Sequence, residues 1–309
     1  MNKNDKIYVA GHTGMVGSAI VRRLKKHSYN NILTKTHVEL DLTNQKDTLD
    51  LFLKEKPDYV FIAAAKVGGI QENIKYPADL LHINLMINSN IIQAAYNIGV
   101  KKLLVLGSSC IYPVNAKQPI KENELLNGKP EKTNEGYAIG KIAAIELSKL
   151  YRRQYNAPFI SCMPTNIYGI NDNFNLNASH VIPAMIRKFY KAKVAGCKEV
   201  TLWGDGSPLR EFLYVDDLAE ACIFLMDQYD DDEAINIGSG EEISINELAN
   251  IIKKVVGYEG NLIFDITKPN GNPRKLLDSS KIHNLGWRHQ VSLQNGIEKT
   301  YNWFLQNIK

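Results

Sequence analysis

Tyr137 and Lys141 stand four positions apart in Tyr-Ala-Ile-Gly-Lys, a spacing that on a helix sets a phenol and an ammonium on one face. A positive neighbour favours phenolate, so the spacing predicts a Tyr137 pKa drawn down from about 10 towards neutrality. Such a phenol can give its proton to a carbonyl oxygen as a hydride reaches the carbonyl carbon. With 15 tyrosines in the chain, about one such pair is expected by chance, so alone it is equally a solvated helix face. Position adds the weight. Upstream, Gly107-Ser108-Ser109-Cys110-Ile111-Tyr112-Pro113 closes a predicted strand, the edge where open α/β sheets hold ligands. A Ser108 hydroxyl there can donate to the same oxygen, although strand-end serines are also ordinary turn formers.

Gly11-His12-Thr13-Gly14-Met15-Val16-Gly17 follows the first predicted strand and opens the first predicted helix. Glycines let the backbone turn tightly and approach a pyrophosphate, while the helix start offers free N–H groups. The second strand ends Thr34-Lys35-Thr36-His37, with no acid before Glu39. An acid there would hold a ribose 2′-hydroxyl. Its absence favours NADP, with Lys35 as the contact to the 2′-phosphate or, with nearly equal weight, as a solvated lysine. Asp41-Leu42 sits where an adenine edge is held. Glycine loop, strand-end serine and Tyr-x-x-x-Lys, in that order, make a specific signal.

These residues carry a resemblance to the extended short-chain dehydrogenase/reductases, and among them to the GDP-L-fucose synthase family of 3,5-epimerase-4-reductases. It runs nearly end to end, through AGHTGMVGSAI, AAAKVGGI, LGSSCIYP, YAIGK, MPTNIYG, SHVIPAMIRK, LREFLYVDD, RKLLD and LGW. The resemblance implies a homodimer, NADPH, and two-stage chemistry on one GDP-sugar. It makes Ser108, Tyr137 and Lys141 a reductase triad, and Cys110 and His180 an epimerase base and acid. It adds Ala64, Pro164, Asn166, Ile167 and His180 to the cofactor positions. Around the GDP-sugar it places Ser109, Cys110, Asn166, Lys188, Trp203, Arg210, Asn270 and Lys275. The pair Cys110 and His180 is chemically coherent, since a 4-keto group acidifies the hydrogens on C3 and C5, but a buried Cys and a capping His are commonly inert. The four residues Lys188, Trp203, Arg210 and Lys275 would otherwise read as surface charges and a core aromatic.

Three positions depart from the family pattern. Thr13 and His37 stand where arginines are expected at the 2′-phosphate, and Asn270 stands where an aspartate is expected at the nucleotide. Thr13 and His37 weaken the expectation of NADP, while Asn270 leaves open a C4-reductase acting on a related GDP-4-keto hexose or heptose, with epimerisation done elsewhere. A non-catalytic NADP-sensing protein ranks below both, because Tyr137 and Lys141 are retained. A 4,6-dehydratase usually has acidic helpers where Ser109 and Cys110 stand.

The elements that must position these groups follow a βαβ rhythm. Strands are expected at 6–10, 31–34, 59–63, 102–106 and 159–163, and helices at 15–27, 45–54, 79–98 and 135–155. Gly99 should end the third helix and Asn156-Ala157-Pro158 the fourth. An Asn-rich loop (170–179) precedes a helix at 183–193, a turn at 204–206, a strand and turn at 234–240, a helix at 245–256, a loop at 267–272 and a terminal helix. This predicts a Rossmann-type doubly wound parallel sheet over 1–169, rejoined by 211–238, with a smaller α/β substrate lobe in 170–309.

Composition agrees with a globular chain: 309 residues, 44% hydrophobic, 23% charged, net charge +4. No basic run longer than two points to nucleic acid, and no apolar window reaches membrane length. Four cysteines without CxxC spacing argue against a zinc site or disulfide framework, and the expectation is a cytoplasmic protein with no metal.

Overall fold

In the computed structural model, which describes residues 1–176 and 178–308, six short apolar runs build one parallel sheet. They are β1 (Ile7–Ala10), β2 (Ile32–Leu33), β3 (Tyr59–Ile62), β4 (Lys102–Leu106), β5 (Phe159–Pro164) and, much later in the chain, β9 (Ile235–Ile237). Their order is β2-β1-β3-β4-β5-β9, so the chain reverses direction of growth between β1 and β3. That reversal leaves a crevice outside the carboxyl ends of the strands.

Successive residues of each strand bury on opposite faces, and helices cover both. Ile7 and Val9 face α1 (Met15–Lys26) and α7 (Val215–Gln228), in a core shared with Leu104, Leu218 and Cys222. Tyr8 and Ala10 face the opposite core with Val105, Ile91 and Ile145. That second face is covered by α2 (Gln45–Glu55), α4 (Pro77–Ile98) and α5 (Glu135–Tyr155), with the short α3 (Ile70–Lys75) leading into α4. The expected stops hold: Gly99 ends α4 and Asn156 ends α5, both left-handed at φ +68° and +55°. The Rossmann-type doubly wound sheet is therefore as expected, and β9 with α7 completes it from residues beyond 169.

The remaining elements form a second layer with its own core of Ile186, Phe189, Leu202, Leu248, Ile252 and Phe304. β6 (Asn166–Tyr168) leaves the first sheet and runs parallel to β8 (Leu209–Tyr214). The same β8 pairs with β10 (Glu242–Ser244) and, in parallel, with β12 (Arg274–Lys275). A separate pair joins β7 (Glu199–Trp203) to β11 (Asn261–Asp265). Helices α6 (Val181–Val194), α8 (Ile245–Val256) and α10 (Leu293–Asn307) pack around these strands, while α9 (Ser280–Asn284) packs on β9 and sends Ile282 into the core of the first sheet. A Ser244–Glu247 capping box starts α8 and Gly257 ends it. The expected polar loop at 170–179 is free of helix and strand where described; Asn177 lies outside the described residues.

Candidate functional site

Two glycines make the first loop close. Gly11 has φ +81°, and a Cβ there would lie 2.6 Å from the Ala64 backbone. A Cβ on Gly17 would lie 2.1 Å from the Gly11 carbonyl oxygen, so α1 starts directly against the loop. Gly14 is different. A Cβ there meets only the Gly11 oxygen, at 3.5 Å, so packing does not demand glycine and the space outside the loop is open. No side chain caps α1, and no acid sits in its first turn. The positive end of the helix macrodipole is thus left for an anion, and a dinucleotide pyrophosphate fits this cradle.

Of the other cofactor positions, Ala64 borders the loop and Pro164 ends β5. Asn166 and Ile167 lie on β6, and the Asn166 amide donates to the Glu211 carbonyl at 2.8 Å. Lys35 is paired with Glu39 at 3.5 Å, which partly neutralises the cation expected at a 2′-phosphate. Thr13 and His37 are exposed near the same edge. Asp41 accepts from the Thr43 N–H and hydroxyl, and the Leu42 carbonyl accepts from Asn90 of α4 at 2.9 Å. One contact was not legible beforehand: Asn171 donates to the Thr13 carbonyl at 2.8 Å, tying the Asn-rich loop to the glycine loop.

At the end of β4, Ser108 caps a single 3₁₀ turn (Ser109–Ile111), accepting from the Cys110 N–H at 3.2 Å. Tyr137, in the first turn of α5, reaches this turn, with its phenol near the Ser108 hydroxyl. Lys141 follows one turn later, 5.9 Å from the Tyr137 ring centre. The expected acidification of Tyr137 is overturned. Loss of water pushes its pKa well up, the Cys110 charge pushes it further, and only the Ser108 hydrogen bond opposes them. Lys141 is itself buried, and its ammonium, over the Tyr137 ring, donates to the Leu106 carbonyl at 2.7 Å. Spacing on a helix says nothing of dehydration, and here dehydration dominates. The phenol is therefore a protonated donor at neutral pH.

Burial lowers the Lys141 pKa to about 8 from 10.5, against a small opposing influence of Cys162. The sign for stability follows. Below about pH 8 both folded and unfolded chains hold the proton and the full cost of burying the charge is present. Between about 8 and 10.5 the unfolded chain keeps the proton while the folded one has lost it, so stability rises with pH. We expect Lys141→Met to lack this rise. Urea unfolding of both proteins from pH 7 to pH 10 should show wild type gaining on the order of 3 kcal/mol relative to the variant. A difference that stays flat with pH would refute burial as the cause.

Cys110 and Lys275 come together beside Tyr137, and His180 lies within reach of the Lys275 charge. The Lys275 ammonium donates to the Cys110 sulfur at 3.4 Å. Burial alone would raise the Cys110 thiol, but Lys275's charge, with hydrogen bonds from Ser108 and Lys275, carries it below its ordinary value. His180, just before α6, keeps an exposed surface, yet partial loss of water and then the Lys275 charge lower its pKa. Ser109 is buried in the same turn.

Arg210 and Lys275 face each other across the β8–β12 pair. Burial lowers Arg210 somewhat, and a Cβ on Gly271 would lie 3.6 Å from its guanidinium. Asn270 accepts from the Asp205 N–H at 2.8 Å, fixing the turn after Trp203, which is 61% exposed. Lys188 projects from α6 and is half-buried, which lowers its pKa. The residue that sequence reasoning passed over is Glu211, fully buried, accepting from the Gly240 and Leu277 N–H groups at 2.8 and 3.2 Å. A charge inside the apolar run of LREFLYVDD was the available signal. All four cysteines are free, and no metal-binding cluster of His, Cys, Asp or Glu occurs among the described residues. No described helix is long and apolar enough to cross a membrane.

A model of the NAD dependent epimerase/dehydratase family matches residues 7–238, most of the chain. The chain belongs to this family. Among family relatives, GDP-L-fucose synthase 1 of Arabidopsis thaliana is 58% identical, covering 99% of this chain and 95% of its own. Two solved structures share the fold throughout. One is MlghC, a GDP-mannoheptose C4 reductase from Campylobacter jejuni with NADP bound: TM-score 0.91, 39% identity, 99% of both chains covered. The other is a GDP-L-fucose synthetase from Naegleria fowleri bound to NADP: TM-score 0.92, 31% identity, 99% of this chain and 96% of that chain covered.

Proposed function

We propose that this protein reduces the C4 ketone of a GDP-4-keto-6-deoxy sugar with NADPH, after inverting C3 and C5 in the same pocket. The observation that carries the reading is the meeting of Ser108, Tyr137, Cys110 and Lys275 at the tip of β4, with His180 within reach of the Lys275 charge and an open phosphate cradle at the same sheet edge. The relatives named above support GDP-sugar chemistry and NADP. Bound NADPH supplies a hydride.

The chain's own residues do the rest. The Cys110 thiolate takes the proton from the carbon beside the ketone, and the C–H electron pair moves into the enolate. His180 returns a proton to the opposite face. The Tyr137 phenol then delivers its proton to the C4 oxygen, which also accepts from the Ser108 hydroxyl. Lys141 holds the floor of the pocket through Leu106, while Arg210, Lys188 and Lys275 supply positive charge for the diphosphate.

We assign cofactor binding to residues 1–169 with 211–238, and sugar binding to the rest of 170–309. The protein is proposed to be cytoplasmic, in keeping with its free cysteines, and to act as a homodimer.

The test is product analysis by NMR after reaction with NADPH and GDP-4-keto-6-deoxymannose in deuterated water. Deuterium at C3 and C5 with consumption of NADPH is expected. Cys110→Ser should cut that exchange about 100-fold, the effect of losing a positioned base, while sparing reduction of an already epimerised ketone. Reduction without deuterium would favour the second reading, a C4-reductase alone, for which the likeness to MlghC and the departure at Asn270 speak. Binding of NADPH without oxidation would sink both.

A further inference from the structure

The proposed base is a cysteine with a lysine against it, and that lysine comes from the far end of the chain. We propose that Lys275 is a positioning residue for the epimerisation half-reaction, holding Cys110 as a thiolate through direct contact of its ammonium with the sulfur. This rests on the reading of Cys110 as the base, and it gives Lys275 a task separate from meeting the diphosphate.

The geometry is specific. Lys275 Nζ lies 3.4 Å from Cys110 Sγ, across 165 residues of sequence. The groups facing Cys110 are Lys275 from β12, Tyr137 from α5 and Ser108 from its own turn; His180 of α6 faces Lys275. Lys275 is the cation among these that touches the sulfur, and a neutral phenol gives no comparable stabilisation of a thiolate.

Its strand is fixed on both sides. β12 pairs with β8 through Arg274 and Lys275. The next residues are held by the 118–120 segment, since Leu276 N–H donates to the Gln118 side chain at 2.9 Å and Ile120 N–H donates to the Leu276 carbonyl at 2.8 Å. Glu211 then takes the Leu277 N–H. The ammonium is therefore delivered by a braced strand, which costs little reorganisation when the thiolate forms.

The same charge lies near His180, where it makes the imidazolium a stronger acid. One ammonium thus biases both members of the pair in the direction each role needs, a deprotonated base and a ready proton donor.

The experiment uses the full chain carrying Cys197→Ser, because Cys197 is the exposed thiol while Cys162 and Cys222 are buried. Alkylation of Cys110 by iodoacetamide is followed by peptide mass spectrometry as a function of pH. The parent should reach half-maximal rate below the ordinary thiol value of about 8.5. Lys275→Met should raise that midpoint by about one pH unit or more, and Lys275→Arg should restore it. Lys275→Gln serves as the second neutral variant should the methionine protein not fold. A neutral variant whose midpoint matches the parent, or a parent midpoint at or above about 8.5, overturns the proposal. Deuterium exchange at C3 and C5 should shift to higher pH in the same variants. A parent that exchanges no deuterium would instead defeat the epimerase reading, while the alkylation midpoints still decide the Lys275–Cys110 contact.

Discussion

Tyr137→Phe is expected to lower the rate of ketone reduction about 1000-fold, the scale of losing a positioned general acid, while NADPH binds within about twofold of wild type. The substitution removes one oxygen. It leaves the ring in place on α5, the Lys141 bond to Leu106 and the glycine loop untouched. Because burial keeps the phenol protonated, the lost group is a proton donor at every neutral pH, and no change of buffer within that range should rescue the variant. The remaining donor, Ser108, is expected to hold the substrate oxygen as before, without supplying a proton to it at comparable cost. Single-turnover reduction measured alongside NADPH titration separates the two effects. A variant that reduces at near-normal rate would remove Tyr137 from its role.

Gly17→Ala is expected to damage fold and cofactor binding together. The added carbon would lie 2.1 Å from the Gly11 oxygen and 2.9 Å from the His12 Cα, so backbone rather than a pliable side chain must move. Overpacking of this kind costs about 3 kcal/mol, and the loop that moves is the cradle itself. Thermal unfolding should fall by about 5 °C or more, and NADPH affinity should fall at least tenfold. Gly14→Ala makes the informative contrast. Its Cβ meets only one atom, at 3.5 Å, so the fold should hold while the ligand's space is invaded. Equal loss of stability in the two variants would contradict this account of the loop.

Much of the first sheet was legible because each strand is a short apolar run between glycines or turns, and each helix has a readable stop such as Gly99 or Asn156. The second layer was less so. β7 alternates buried and exposed residues, yet its partner β11 follows only after two helices and three strands, and no local signal states that pairing. β12 is two residues long and exists only because β8 offers it an edge. The order of glycine loop, Ser108, Tyr137 and Lys141 was enough to expect the last three to meet at the end of β4, where they adjoin. The contact between Cys110 and Lys275 depends on the register of β12 and had no signature in spacing. The sign of the Tyr137 shift was misread for a related reason: residue spacing reports proximity on a helix, whereas dehydration depends on everything packed around it.

The return of α7 and β9 to the first sheet limits how the molecule can be taken apart. A fragment cut at residue 169 would leave β5 with an unpaired edge and α1 without the helix that covers it. Grafting the segments outside the first sheet onto another member of the family therefore requires exchanging interleaved pieces on either side of 211–238, and a simple two-piece chimera at 169 should aggregate.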